Sequence, residues 1–197
     1  MPKGIPLTTE EQNRKRRDVF AASLPLFLGK GFYETSMKEI AEACGMGKST
    51  LYDYFKTKDE ILVAIAEEEV MVLTARVQEI AARPAPAEQR LREVMQAHLV
   101  YMEERKEFFL KLYIEMQRLD TASLMRIQKK RHIYQDLLCG LIEEGIREGA
   151  FRPVQPLLAT RTLLSLLNPV VFTSRPTGTP EEMLEEIIGI FFTGIVA

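Results

Sequence analysis

The stretch that decides the fold is Ser36-Met37-Lys38-Glu39-Ile40-Ala41-Glu42-Ala43-Cys44-Gly45-Met46-Gly47-Lys48-Ser49-Thr50-Leu51-Tyr52-Asp53-Tyr54-Phe55-Lys56-Thr57-Lys58. It opens with Ser36-x-x-Glu39, a capping box in which the two side chains satisfy free backbone donors at a helix start. A short helix is therefore expected over about 36–43, ended by Gly45. Only Gly45-Met46-Gly47 separates it from a second short helix at about 48–55, and Thr57-x-x-Glu60 is another capping box that opens a long helix reaching about Ala82. Two short helices joined by a tight turn containing Gly make a helix-turn-helix, a pattern whose second helix enters the major groove of DNA. Ile40, Ala41, Cys44, Met46, Leu51 and Phe55 supply the inward face, and Ala41 is small enough for a close helix crossing. Lys48, Ser49, Tyr52 and Tyr54 are left to point outward, a surface suited to base edges and phosphates. Lys56 and Lys58 can neutralise phosphates. Periodicity alone also allows a helical hairpin that merely packs.

Helical spacing continues in both directions, and no period-2 pattern interrupts it. A first helix is expected from about Glu10 to Leu28, with Phe20, Leu24 and Phe27 on one face and Gly29-Lys30-Gly31 at its end. Pro25 lies inside it and should kink it. In the long fourth helix, Leu62, Ala66, Val70, Leu73, Val77 and Ile80 form one apolar stripe along its full length. Arg83-Pro84-Ala85-Pro86 then breaks the chain, and helices of about 87–104, 106–119, 121–147, 155–174 and 180–196 follow. The fold expected is all-α, with about nine helices.

Composition agrees with an ordinary folded protein: 197 residues, 46% hydrophobic and 27% charged. The net charge of −2 conceals an uneven spread, since residues 1–58 carry +3 and the remainder −5. A modestly basic head on an acidic body permits DNA binding by the head. Cys44 and Cys139 have no CxxC or Cys/His spacing, which argues against a zinc site or a disulfide framework and favours a reducing cytoplasm. The N-terminal segment lacks the apolar stretch of a signal peptide. The apolar runs at 187–197 and 163–172 are shorter than the roughly 20 residues that span a bilayer. No membrane contact is expected.

Gly31-Phe32, Thr35-Ser36-Met37, Ile40-Ala41, Gly45-Met46 and the run Leu51-Tyr52-Asp53-Tyr54-Phe55-Lys56-Thr57-Lys58 together resemble the N-terminal signature of TetR-family transcriptional regulators. The likeness covers about residues 13–65, and the stretch from Glu143 to Pro153 resembles the end of that family's long seventh helix and the loop after it. The resemblance implies a DNA-binding domain at 1–56 and a helical effector-binding and dimerisation domain at 57–197. It also implies a homodimer that represses by binding a palindromic double-stranded operator. A small effector in the body would release it. Carried over position by position, the recognition-helix contacts fall on Lys48, Ser49, Thr50, Tyr52 and Tyr54, with Lys58 on a phosphate. Thr35, Ser36 and Lys38 occupy second-helix positions that touch the backbone or a base edge. Gly47 departs from the Ser or Thr often found at that cap.

Two heads must sit about 34–36 Å apart, or a multiple, to reach successive major-groove faces. The fourth helix joins head to body without a break, so a ligand that alters the spacing lowers DNA affinity, and by linkage DNA lowers ligand affinity equally. The last helix places Leu184, Ile188, Phe191 and Ile195 in one stripe, with Gly189 and Gly194 allowing close approach. With Leu163 and Leu167 of the eighth helix it is expected to form half of a four-helix dimer interface, intrachain core being the alternative. Candidate effector contacts are His98, Tyr101, Met102, Phe109, Tyr113, Met116, Tyr134, Asn168 and Phe172, a Met-rich and aromatic set suited to a hydrophobic or aromatic molecule. His98 read alone fits a satisfied core histidine, and Cys139 a small buried hydrophobe.

Enzyme readings fail on spacing. Gly47-Lys48-Ser49-Thr50 resembles part of a phosphate-binding loop, but Glu42 stands where that motif needs its first glycine, and a helix precedes it instead of a strand. No Ser/His/Asp or Cys/His arrangement suggests catalysis, and no metal or cofactor is implied. A helical interaction protein that has kept the fold without binding DNA is the remaining alternative; the outward set Lys48, Tyr52, Tyr54 and Lys58 argues against it.

Overall fold

The computed structural model describes residues 8–195, which form nine α-helices and no β-strand. They are α1 (Thr9–Gly29), α2 (Met37–Ala43), α3 (Lys48–Tyr54), α4 (Lys58–Ala81), α5 (Ala87–Glu103), α6 (Lys106–Met116), α7 (Thr121–Arg147), α8 (Pro156–Phe172) and α9 (Pro180–Ile195). The expected sixth helix was longer. Beyond Met116 the amides of Gln117, Arg118 and Leu119 bond three residues back, so the helix tightens and stops while Leu119 is buried. Pro25 and Pro169 lie inside α1 and α8, which continue past them to Gly29 and Phe172.

The helices form two compact units that divide inside α4, between Ala66 and Glu67; the segment Ile114–Leu124 belongs to the first. In the first unit α1 packs on α2 and α2 on α3. Val19, Ile40 and Leu51 are fully buried, and Phe55 is nearly so. Burying a side chain the size of Leu51 contributes about 1.5–3 kcal/mol. In the second unit α5, α8 and α9 pack against one another, and Leu91, Met95, Leu138, Ile142, Phe151, Leu163 and Ile188 form the centre of the core. Gly145 of α7 makes room for Phe151, because a Cβ there would lie 2.3 Å from the ring. The buried Arg90 guanidinium donates to Ala81 O (2.6 Å) and Glu144 Oε1 (2.5 Å), tying the end of α4 to α5 and α7.

The six residues expected at a dimer interface are covered within the chain itself. Leu163, Leu167, Leu184, Ile188, Phe191 and Ile195 are all at least 94% buried within the chain itself. The stripe is core, since α8 and α9 turn their most regular apolar faces toward each other and toward α5. What α8 and α9 leave outside includes Leu158, 63% exposed, and Ile190, 60% exposed.

Candidate functional site

Local chemistry sets the helix-turn-helix. Ser36 caps α2: its Oγ accepts from Glu39 N (3.2 Å), and Glu39 Oε2 accepts from Ser36 N (2.8 Å). The Lys30 ammonium and the Ser36 amide together hold the Glu39 carboxyl at about 2. Gly45 turns the chain at φ +65°, a conformation that disfavours a side chain, and Met46 N closes the turn on Ala41 O at 2.9 Å. Gly47 begins α3 without a side-chain cap.

Lys48, Ser49 and Thr50 are exposed on the first turn of α3, whose reverse side is the buried Leu51. Tyr52 and Tyr54 are half-buried, and the Lys48 ammonium lies 5.9 Å from the centre of the Tyr52 ring. Lys38 is exposed, 3.6 Å from the Glu42 carboxylate. Thr35 is different: it is buried, and its hydroxyl donates to Gly31 O at 2.7 Å. That leaves its side chain no route to a solvent-borne partner. Lys58 is also engaged, donating to Phe32 O (2.6 Å) and Tyr33 O (2.9 Å) with its ammonium 4.8 Å from the Phe32 ring centre. It latches the α1–α2 loop to the start of α4. Arg118 lies 4.6 Å from the centre of the exposed Tyr33 ring within the same unit.

The second unit contains a cavity of about 480 Å³. Its walls are Glu69, Val70 and Leu73 of α4, His98, Tyr101 and Met102 of α5, Phe109 of α6, Arg131, Tyr134 and Gln135 of α7, and Arg161, Leu164, Ser165 and Asn168 of α8. Six of the nine expected effector contacts therefore meet there. Three do not. Tyr113 is 66% exposed on α6, Met116 belongs to the first unit, and Phe172 packs against the core outside the lining.

The sequence reading missed Glu69, Arg131, Gln135, Arg161 and Ser165 among the polar walls. Spacing held a signal: Arg131 lies one turn before Tyr134, and Arg161, Leu164 and Asn168 follow helical steps of three and four. The run Lys129-Lys130-Arg131 reads as a solvated face, which hides Arg131 among its neighbours.

The polar groups of the chamber fall into distinct sets. Tyr101 donates to Glu69 Oε2 at 2.6 Å, and Arg105 donates to the same oxygen at 3.2 Å. Burial and the Glu69 carboxylate raise the Tyr101 phenol above its ordinary range. His98 Nδ1 stands 2.6 Å from the Tyr134 hydroxyl. Burial lowers His98 to about 4 and raises Tyr134, so both are neutral at physiological pH. Arg131 and Arg161 are exposed and make no ion pair with a carboxylate among the described residues.

Cys139 is half-buried outside the chamber, where burial and the neighbouring Glu143 raise its thiol. A raised thiol pKa suits an inert cysteine. No helix among the described residues is long and apolar enough to cross a membrane.

The family model described as bacterial regulatory proteins, tetR family, matches residues 19–65, and the tetracyclin repressor-like C-terminal domain matches residues 84–195. Among solved structures, the TetR-family transcriptional regulator PfmR from Thermus thermophilus is 29% identical; the match covers 89% of this chain and 97% of that one, with a TM-score of 0.70. AibR, in complex with isovaleryl coenzyme A and operator DNA, is 24% identical over 90% of this chain and 98% of its own, at TM-score 0.68. FadR from Bacillus subtilis, in complex with stearoyl-CoA, is 20% identical over 91% and 98%, at TM-score 0.79. The last two likenesses are of fold.

Proposed function

The chain belongs to the TetR family of bacterial regulatory proteins, and from that premise we propose a dimeric repressor that leaves its operator when an acyl-CoA thioester fills the chamber of its second unit. The observation that carries the effector half is the chamber itself: a cavity of about 480 Å³ walled by five helices, four of which contribute apolar side chains, with two arginines that have no carboxylate partner among the described residues. An acyl chain suits the first feature and phosphates the second. FadR and AibR, which share the fold, are solved with CoA thioesters.

On the DNA side, Lys48, Ser49 and Thr50 are exposed together at the start of α3 and supply base and phosphate contacts, flanked by Tyr52 and Tyr54. Ser36 and Lys38 lie at the start of α2, where they approach the backbone. Thr35 supports the loop from inside, and Lys58 combines its latch with one N–H left for a phosphate. The second copy docks on the outer face of α8 and α9, where Leu158, Thr162, Leu166, Ile190 and Gly194 border a groove of about 390 Å³. A Cβ at Gly189 or Gly194 would meet nothing within 4 Å, so a partner helix can approach there.

Binding of the purified protein to the DNA flanking its own gene, measured at several salt concentrations against random competitor DNA, tests the regulator half. Specific, steeply salt-dependent binding by a dimer is expected. Binding no tighter than to random DNA contradicts autoregulation and moves the search to other promoters.

A further inference from the structure

Among the residues lining the chamber stands one neutral polar pair, His98 of α5 and Tyr134 of α7, joined at 2.6 Å with ring centres 5.6 Å apart. Leu73, Met102, Phe109 and Leu164 share its walls. The proton count of the pair is informative. A neutral imidazole carries one N–H and a phenol one O–H, and the contact between them uses one of the two. The other is left without a protein acceptor among the described residues, on His98 Nε2 in one tautomer and on the Tyr134 oxygen in the other. Either way the pair offers one hydrogen-bond donor to whatever occupies the chamber. Other hydroxyls of the lining are already engaged: Tyr101 donates to Glu69, and Ser165 donates to Arg161 O at 2.9 Å.

We propose that the His98–Tyr134 pair determines effector specificity by donating a hydrogen bond to the thioester carbonyl of an acyl-CoA. The inference rests on the acyl-CoA reading of the chamber. It assigns the discrimination to two residues and to one atom of the ligand. The carbonyl can only accept, and the pair supplies the missing donor in both of its tautomers. A ligand with the same chain but no carbonyl leaves that donor unpaired once the chamber is filled, which costs affinity.

The test is calorimetric binding of the full-length protein to a series from butyryl-CoA to stearoyl-CoA, followed by the S-alkyl-CoA thioether matched to the length that binds best. Wild type is expected to bind the thioester about ten- to a hundredfold more tightly than the thioether. The double variant His98→Leu/Tyr134→Phe, which removes both protons of the pair, abolishes that preference, whereas His98→Gln, which keeps an N–H, retains part of it. Tyr134→Phe, which frees the imidazole to rotate, weakens it. Unchanged operator affinity of the ligand-free variants shows that they fold. Equal wild-type affinity for thioester and thioether overturns the inference, as does a wild-type ratio in the double variant His98→Leu/Tyr134→Phe. If wild type binds no member of the series, the acyl-CoA reading itself is wrong and this inference falls with it; binding without discrimination overturns the inference alone.

Discussion

The DNA-binding unit and the effector unit carry their chemistry at different ranges. In the first, the informative residues lie within one short stretch: the Ser36–Glu39 cap, the left-handed Gly45 and the exposed Lys48-Ser49-Thr50 follow within fifteen positions. In the second, the chamber gathers single turns of five helices, from Glu69 to Asn168. Local chemistry suffices to build a helix-turn-helix, whereas a cavity exists only once the helices have packed. The first unit should therefore fail by losing one buried anchor, and the second by changes in shape and charge.

Leu51→Ala puts this contrast under the greatest strain. Leu51 is fully buried beneath the exposed face of α3, and the truncation should destabilise the first unit by about 2–5 kcal/mol. Operator binding should be lost while acyl-CoA binding survives, as gel shift and calorimetry on one sample would reveal. Loss of both would show that the units do not fail separately.

The pH dependence of stability addresses the second unit. His98 is held down to about 4 in the folded chain, against an ordinary value of 6.5. As pH falls below about 6.5 the unfolded state takes up the proton first, so stability is full above that pH and is lost progressively down to about 4, by at most about 3 kcal/mol. Denaturant melts from pH 7 to 4.5 should show a shallower loss for His98→Gln than for wild type. Identical slopes would mean that His98 is not held neutral.

Gly145→Ala acts through shape. The added Cβ would fall 2.3 Å from the Phe151 ring, and the resulting overpacking should cost about 1–3 kcal/mol. Thermal melting checks it, and an unchanged midpoint would mean that Phe151 moves aside freely.

The smallest effect belongs to Gly47→Ser. A Cβ at this position meets Thr50 Oγ1 at 3.7 Å, an ordinary contact, and φ is −64°. A serine cap for α3 should add a few tenths of a kcal/mol to stability. A lower melting midpoint would show that the turn needs glycine after all.

How much could be read in advance follows the same division. The nine helices and the turn between α2 and α3 were legible because caps, glycines and the helical period are local signals. Six chamber residues were also legible, because aromatic and polar side chains interrupt otherwise apolar faces of α5 to α8. What covers the regular stripe of α9 was not. Leu184, Ile188, Phe191 and Ile195 announce an apolar side of α9 but not what covers it, and the chain's own α5 and α8 do so. Ile190 belongs to a second line on α9, Met183, Ile187, Ile190 and Gly194, at the same steps of four, three and four, which the more strongly apolar stripe beside it overshadows. Thr35 and Lys58 differ for a related reason: family position suggests DNA for both, while the carbonyl of Gly31 receives the Thr35 hydroxyl and those of Phe32 and Tyr33 receive two of the three Lys58 N–H groups.

If ligand in the second unit and DNA on the first are energetically coupled, each weakens the binding of the other. The most direct measurement is operator affinity at fixed salt with and without a saturating acyl-CoA, paired with acyl-CoA affinity with and without operator. Both affinities are expected to fall by one common factor, about 5- to 150-fold. A bound acyl-CoA that leaves operator affinity unchanged would contradict the coupling.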